Sequence, residues 1–494
     1  MHVAYDLESY PNVFTCAVMP IHSPGWWCYE ISHRRNDAEY LYRDMKTGMF
    51  TRMYGFNNMD YDYPLLHYIM EIFDKWGVNT LTGPQIADLA YRRTVELIAT
   101  PWGQGWHNWV WARDQRAQQC DLLKLNHFDN KNKRTSLKDL MFNLRCPNMR
   151  ELPFTPGTVL TDQQIDVLID YNVHSDTWTT HKFAHECLDA VKFREDLMAD
   201  GTFDAECLNW SDVKIGEKIF IQRLEAAKPG VTAKVNGHKP QTHRRAIAVA
   251  DIIVPYVQFE RPELRQLLSN LRDTSVDGSE IKGSYNFKVP LDAVEISIGA
   301  GGIHGSLNRQ IIRSDSERCI IDIDVTGYYP SVAIENRFYP EHIGPVFSDV
   351  YRTVRDDRNV FKKAGNVTKA GGLKLANNGA FGKTGEDHSV FLDTKCLLAI
   401  TVNGQLLQCM LAEAVLRIPG ARILQLNTDG ITVDIPRHMR GMFDDVCAWW
   451  QRFTCLDLEF TDYDVMWLRD CNNYLARDVK GKMKWNGGGR SSVF

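Results

Sequence analysis

Short apolar runs, broken by charged and turn-forming residues, alternate with amphipathic stretches along the whole chain. Residues 2–5 and 13–19 are apolar enough to predict two strands, with an acidic turn between them. Residues 161–183 predict a pair of helices, with Thr161 as the N-cap. Residues 226–245, rich in Gly, Pro, Lys and Arg, predict a surface loop or linker insertion. Residues 247–259 then predict a strand-rich piece and 262–271 a helix. The pattern changes near Ile298: GAGGIHG precedes an apolar strand over 319–323, which ends on a sharp Gly-Tyr-Tyr-Pro turn. Residues 350–363 and 372–381 predict helices, and 438–453 an amphipathic helix. Residues 423–426 and 431–435 predict the two strands of a hairpin around Asn-Thr-Asp-Gly, a turn-forming sequence.

The 494 residues exceed what one hydrophobic core usually serves, so two or more domains are expected. With 44% hydrophobic and 24% charged residues, the chain is expected to fold rather than remain disordered. No apolar run stands out as a membrane span, and the start MHVAYDLESY carries acids where a signal peptide carries a basic start and an apolar core. A cytoplasmic protein is expected. Twelve cysteines are scattered singly without a CxxC pair, which argues against zinc fingers and for buried thiols. The net charge of −5 neither announces nor excludes a nucleic-acid binder, because binding needs only a local basic groove.

Clustered carboxylates carry the candidate chemistry. Asp6 and Glu8 stand two apart at the end of a predicted strand, so both point to one face. Hard oxygen ligands of this kind suit Mg²⁺. On a surface strand the same pair would be mere solvated charge. Further on, Asn57 and Asp62, with Tyr61 between them, match the Asn-x-x-x-aromatic-Asp pattern of DEDD-type exonucleases; the rival reading is an Asn- and Asp-rich turn. That class also carries Tyr-x-x-x-Asp on a helix. Here Tyr171 is followed four residues later by Ser175, and the acid comes one place on, at Asp176. On a regular helix this turns the carboxylate by about 100°, which a helix bulge would restore. Lys138 fits a basic residue near the scissile phosphate, or a solvated lysine.

Three segments in the C-terminal half are similar to motifs of family B DNA polymerases. Asp324-Val-Thr-Gly-Tyr-Tyr-Pro-Ser331 resembles motif A, Asp-x-x-Ser-Leu-Tyr-Pro-Ser. The resemblance implies that Asp324 and the backbone of Val325 face a metal and the triphosphate. It also implies that Tyr329 is the steric gate against a ribose 2′-OH. Lys374-Leu-Ala-Asn-Asn378-Gly-Ala-Phe381-Gly382 resembles motif B, Lys-x-x-x-Asn-Ser-x-Tyr-Gly. Lys374 and Asn378, four apart, share one helix face. Lys374 would pair with phosphates, and Asn378 and Phe381 would line the nascent base pair. Upstream, Arg355, Arg358 and Lys362 recur at helical spacing, either as a solvated face or as a basic stripe aimed at the same triphosphate. Asn427-Thr-Asp429-Gly430 resembles motif C, Asp-Thr-Asp-Ser, with Asn427 in place of the first acid and Gly430 in place of Ser. Gly299-Ala-Gly301-Gly302 resembles the Tyr-x-Gly-Gly segment, and Tyr474 followed by Lys480, Lys482 and Lys484 lies where the family carries a primer-gripping motif.

The resemblance spans nearly the whole chain and is closest to small bacteriophage polymerases. It implies an α/β protein: an RNase H-like exonuclease domain over 1–190, a connecting region over 191–297, then a right-hand polymerase. That part would comprise palm over 298–350, short fingers over 351–385, and palm with a DNA-binding tail over 386–494. The thumb would be reduced or missing, so a separate thumb or processivity subunit is an expected partner. The other implied partners are primer–template DNA and deoxynucleoside triphosphates, with no membrane. Two Mg²⁺ ions per active site are implied, with Mn²⁺ as a substitute. Two large insertions of protein-primed phage polymerases are absent, which argues for ordinary primer use. The alternatives are a stand-alone metal-dependent nuclease with a C-terminal DNA-binding module, and a non-enzymatic nucleic-acid-binding protein.

Overall fold

The structure, a computed structural model, describes residues 1–101, 104–130, 133–281 and 283–487. The end of the glycine-rich tail, 488–494, lies outside the described residues. The fold is mixed α/β, and the chain divides into two compact units, Met1–Ile215 and Gly216–Phe494.

The first unit is built on a five-stranded sheet in the order Trp27–Ser32, Val13–Pro20, His2–Tyr10, Arg52–Gly55, Gln118–Asp121. The first three strands are antiparallel, and the last two join parallel to His2–Tyr10 and to each other. The predicted first strand stops too early: it continues through Tyr10 and turns back at Pro11 and Asn12. Asp6 and Glu8 therefore lie within a strand, not in a turn. Alternation along this strand has a direct consequence. Val3, Tyr5 and Leu7 enter one core with Leu65, Ile69, Ile86 and Ala90 of the helices Asp62–Trp76 and Gly83–Ile98. Ala4 belongs to the opposite core, with Phe183 and Ala184 of the helix Trp178–Glu186. Asp6 and Glu8 share that second face.

The second unit is built on a ten-stranded sheet. At its centre Arg318–Val325 pairs antiparallel with Gly430–Pro436 on one side and Leu458–Asp470 on the other. The hairpin expected around residues 427–430 forms, with strands Arg422–Asn427 and Gly430–Pro436. The tail is not a loose appendage up to residue 487. Asn473–Asp478 and Met483–Asn486 continue the sheet outward from Leu458–Asp470. Residues 247–259 contain less strand than expected: only Ala246–Ala248 pairs, with Ser275–Asp277. The expected linker insertion docks at its far end. Thr242 N–H donates to Leu392 O at 2.9 Å, and Arg244 forms an ion pair with the buried Asp393 at 3.0 Å.

One element contradicts the expectation that no segment is long and apolar enough to cross a membrane. Thr394–Val415 is, by length and composition, but 94% of its apolar window is buried inside the protein, so it packs as a core helix. Two of its glutamines reach neighbouring turns. Gln405 Nε2 donates to Gly299 O at 2.8 Å, and Gln408 Nε2 to Thr428 O at 3.0 Å. The cysteines are unpaired, and most are buried.

Candidate active sites

In the first unit, Asp6, Glu8 and Asp176 each offer a carboxylate oxygen, and these oxygens lie within 4.8 Å of one another. Tyr171 ends the helix Asp162–Tyr171, and the chain then passes through a π-helical turn, Asn172–Thr177. Widening to i→i+5 brings residue 176 under residue 171, where a regular helix would bring residue 175. Tyr171 OH donates to Asp176 Oδ2 at 3.0 Å. The one-residue displacement in the sequence is thus absorbed by the backbone, and Ser175 is buried instead. Lys138 stands beside both, with Nζ 3.0 Å from Tyr171 OH and 3.5 Å from Asp176 Oδ1.

Asp62 is the first residue of its helix and lies outside the close trio; its Oδ1 accepts the Leu7 N–H at 3.3 Å. Burial pushes the Asp62 carboxyl up to about 7. Burial, then the charges of Asp62, Asp176 and Glu8, raise Asp6 well above the ordinary carboxylate range; burial, then Asp176 and Asp62, do the same to Glu8. Four acids crowded in a poorly hydrated place repel one another, and a divalent cation relieves that repulsion. The donor set is all hard oxygen, so the residues fit Mg²⁺ or Mn²⁺.

Two supporting residues were not read from the sequence. Asn172 Nδ2 donates to Asp6 Oδ2 at 2.7 Å, and its Oδ1 accepts from Thr15 Oγ1 at 3.3 Å. Asp121 accepts the Asn57 N–H at 3.0 Å and the Met59 N–H at 3.1 Å, holding the segment that leads to Asp62. Asn57 adopts a positive φ of 64°, which Asn tolerates better than most residues.

In the second unit, register brings the other acids together. Asp324 pairs with Gly430, and Val325 N–H donates to Asp429 O at 2.9 Å. Asp324 and Asp429 line one pocket of about 230 Å³ with Asn427 and Lys484. Burial, then Asp322, pushes Asp324 up to about 6, and burial raises Asp429. The glycine at 430 has a steric cause: a Cβ there would overlap Asp324 Oδ1 and stand 2.8 Å from Ile323 O. The oxygen donors of Asp324 and Asp429 again fit a hard divalent cation.

Asp322, also unread in the sequence, is buried on the same strand face as Asp324, since strand side chains recur every second residue. It accepts from Thr432 Oγ1 and Tyr463 OH, both at 2.6 Å. Lys484 Nζ lies 2.9 Å from Asp322 Oδ2 and 3.6 Å from Asp324 Oδ2.

The other candidates lie near this pocket, along two helices and in the last strands. The Tyr329 ring stacks on Phe381 with centroids 4.3 Å apart, and Tyr329 OH donates to Gly301 O at 3.4 Å. A Cβ on Gly302 would stand 3.6 Å from both Tyr329 OH and Thr428 Oγ1, so the turn at 299–302 lies against the Asn-Thr-Asp-Gly turn. Lys374 and Asn378 are exposed on the helix Val367–Lys383, opposite buried Leu373, Ala376, Asn377 and Ala380. Arg358 and Lys362, on Val346–Lys363, make no ion pair among the described residues, whereas Arg355 is bound to Glu335 at 3.0 Å. Tyr474 is buried, and Lys480 and Lys482 are exposed at the turn between the last two strands.

No family model and no curated protein matches the chain. Among solved structures, it is similar to the family B DNA polymerase from the hyperthermophilic archaeon Pyrobaculum calidifontis, with a TM-score of 0.50 and 12% sequence identity. The likeness covers 98% of this chain and 60% of that one, so the chain spans less than two thirds of that polymerase's length. At this identity the likeness is one of fold. The chain thus has a DNA-polymerase-like fold.

Proposed function

We propose that the chain is a DNA-directed DNA polymerase carrying a 3′→5′ proofreading exonuclease, and that it replicates phage DNA. In this reading Met1–Ile215 is an RNase H-like exonuclease unit. Gly216–Phe494 is the polymerase, with the large sheet as palm and Val346–Lys363 and Val367–Lys383 as short fingers. The observation that carries the reading is the register of the large sheet. Pairing Asp324 with Gly430 puts the acids of motifs A and C at one pocket, beside the stacked Tyr329 and Phe381.

At the palm, Asp324, Asp429 and the backbone of Val325 would hold Mg²⁺, which lowers the cost of deprotonating the primer 3′-OH and neutralises the leaving pyrophosphate. Lys374, Arg358 and Lys362 meet the triphosphate as fixed cations. Tyr329, supported by Phe381, fills the space a 2′-OH would need, and Asn378 borders the base pair. The turn at Gly301 and Gly302, with Tyr474, Lys480 and Lys482, contacts the primer–template. At the exonuclease site Asp6, Glu8, Asp62 and Asp176 would hold the cations, and Lys138 and Tyr171 would orient the scissile phosphate.

A stand-alone nuclease is the second reading, favoured by the tighter packing of Asp6, Glu8 and Asp176. It leaves the convergence of Asp324, Asp429, Tyr329 and Phe381 without a purpose. Primer extension by the purified chain with Mg²⁺ and deoxynucleoside triphosphates separates the two. Template-directed elongation supports the polymerase, and 3′ degradation alone supports the nuclease.

A further inference from the structure

Lys484 is placed unlike the neighbouring lysines of the tail. Lys480 and Lys482 sit at a turn, whereas Lys484, although also exposed, lies on a strand of the large sheet, paired with Ala476, and reaches across to the acids. Its Nζ is shared between Asp322 at 2.9 Å and Asp324 at 3.6 Å. Asp322 is held rigidly: it is buried, and its two oxygens accept from Thr432 and Tyr463. Asp324 is the more exposed, with 45% of its side chain accessible. Lys484 thus has one fixed anchor and one adjustable contact, and the adjustable one is the candidate metal ligand.

We propose that Lys484 is an internal counter-ion that competes with a divalent cation for Asp324, and that Asp322 is the positioning residue that sets how strongly it competes. The proposal rests on the palm reading of this pocket. An ammonium 3.6 Å from a carboxylate oxygen satisfies part of the charge that a cation would neutralise. Once a cation is bound at Asp324, the ammonium is repelled and keeps its Asp322 contact. Asp322 supplies the place to retreat to, which lowers the cost of metal entry. The carboxylate absent from motif C at Asn427 thus has a counterpart at Asp322, serving a lysine instead of a metal.

The test is Mn²⁺ binding without DNA or nucleotide, read by the loss of the free-ion paramagnetic resonance signal. The full-length chain carries Asp6→Ala and Glu8→Ala, so that the second unit reports. Lys484→Met should tighten Mn²⁺ binding about tenfold, and Lys484→Arg should leave it near the starting value. Asp322→Asn should weaken binding severalfold, and much less so when Lys484→Met is also present, because the two residues act as one device. Melting temperatures within a few degrees of the parent show that each variant is folded. Unchanged affinity in Lys484→Met, or additive effects of the two substitutions, overturns the proposal. A separate control, Asp324→Ala, tests the palm reading itself. If it leaves Mn²⁺ binding intact, the metal site is elsewhere and the underlying reading fails; if it abolishes binding while Lys484→Met changes nothing, only the competition fails.

Discussion

The two carboxylate clusters deal with the same electrostatic problem differently. In the first unit, Asp6, Glu8 and Asp176 are packed within 4.8 Å, and the nearby Lys138 is divided between Tyr171, the Arg150 carbonyl and Asp176. Burial and mutual repulsion raise the Asp6 and Glu8 carboxyls there, and Lys138 offsets part of that rise. In the second unit, Lys484 lies among the acids, bonded to Asp322 and close to Asp324. The difference lies in the anchor: Lys138 faces the candidate ligand Asp176 directly, whereas Lys484 is held by Asp322, an acid outside the candidate ligand pair.

That contrast can be broken at several points. The largest effect is expected from Asp324→Ala or Asp429→Ala. If the palm reading holds, each removes a metal ligand contributing several kcal/mol to the transition state, so primer extension should fall by about a thousandfold or more. Single-turnover incorporation on a primer–template measures it, and near-normal rates in either variant would remove these residues from the metal site.

Next is Asp176→Ala, with an expected loss of about a hundredfold in 3′-end degradation and no change in extension. Unchanged degradation would mean that the π-helical turn delivers Asp176 to no catalytic purpose.

Tyr329→Val should raise ribonucleotide incorporation relative to deoxyribonucleotide by about tenfold to a hundredfold, the range that pocket shape alone usually decides. Phe381→Ala should move the ratio in the same direction by less, because it removes the stacked support and not the gate. Equal ratios in wild type and Tyr329→Val would discard the gate.

The smallest effect is on stability. The Asp62 carboxyl, at about 7 in the folded chain against an ordinary 3.8, binds its proton more tightly when folded. Its contribution to stability is therefore fully present below about pH 4 and is lost as pH rises through 7. In a chelator, Asp62→Asn should gain melting temperature relative to wild type at pH 8 and little at pH 4.5. Added Mg²⁺ should narrow the gap at pH 8. A gap independent of pH would contradict the burial-raised carboxyl of Asp62.

The sequence made the local patterns legible and left the long-range compensations hidden. Alternation alone placed Asp6 with Glu8, and the flanking apolar runs placed the hairpin around Thr428 and Asp429. Asp322 was equally accessible in principle, two residues before Asp324 on an apolar strand, but nothing nearby in sequence marks Thr432, Tyr463 and Lys484 as its partners. The π-helical turn has no signature either: a one-residue displacement between Tyr171 and Asp176 raises the question, and only the backbone answers it. The helix Thr394–Val415 lacked a polar face to mark it, because it is buried all round. Gln405 and Gln408 support the turns at 299–302 and 427–430 from within that helix, contacts that only the tertiary fold creates.

The central claim is that one chain carries two separable metal-dependent sites, one building DNA and one degrading it. Its most direct test is a reciprocal time course on one end-labelled primer–template with Mg²⁺, comparing wild type, Asp429→Ala, and the double variant Asp6→Ala, Glu8→Ala. With nucleotides supplied, wild type and the double variant should lengthen the primer, and Asp429→Ala should only shorten it. Without nucleotides, wild type and Asp429→Ala should shorten it, and the double variant should leave it intact. Elongation by Asp429→Ala, or loss of both activities in either variant, would contradict the account.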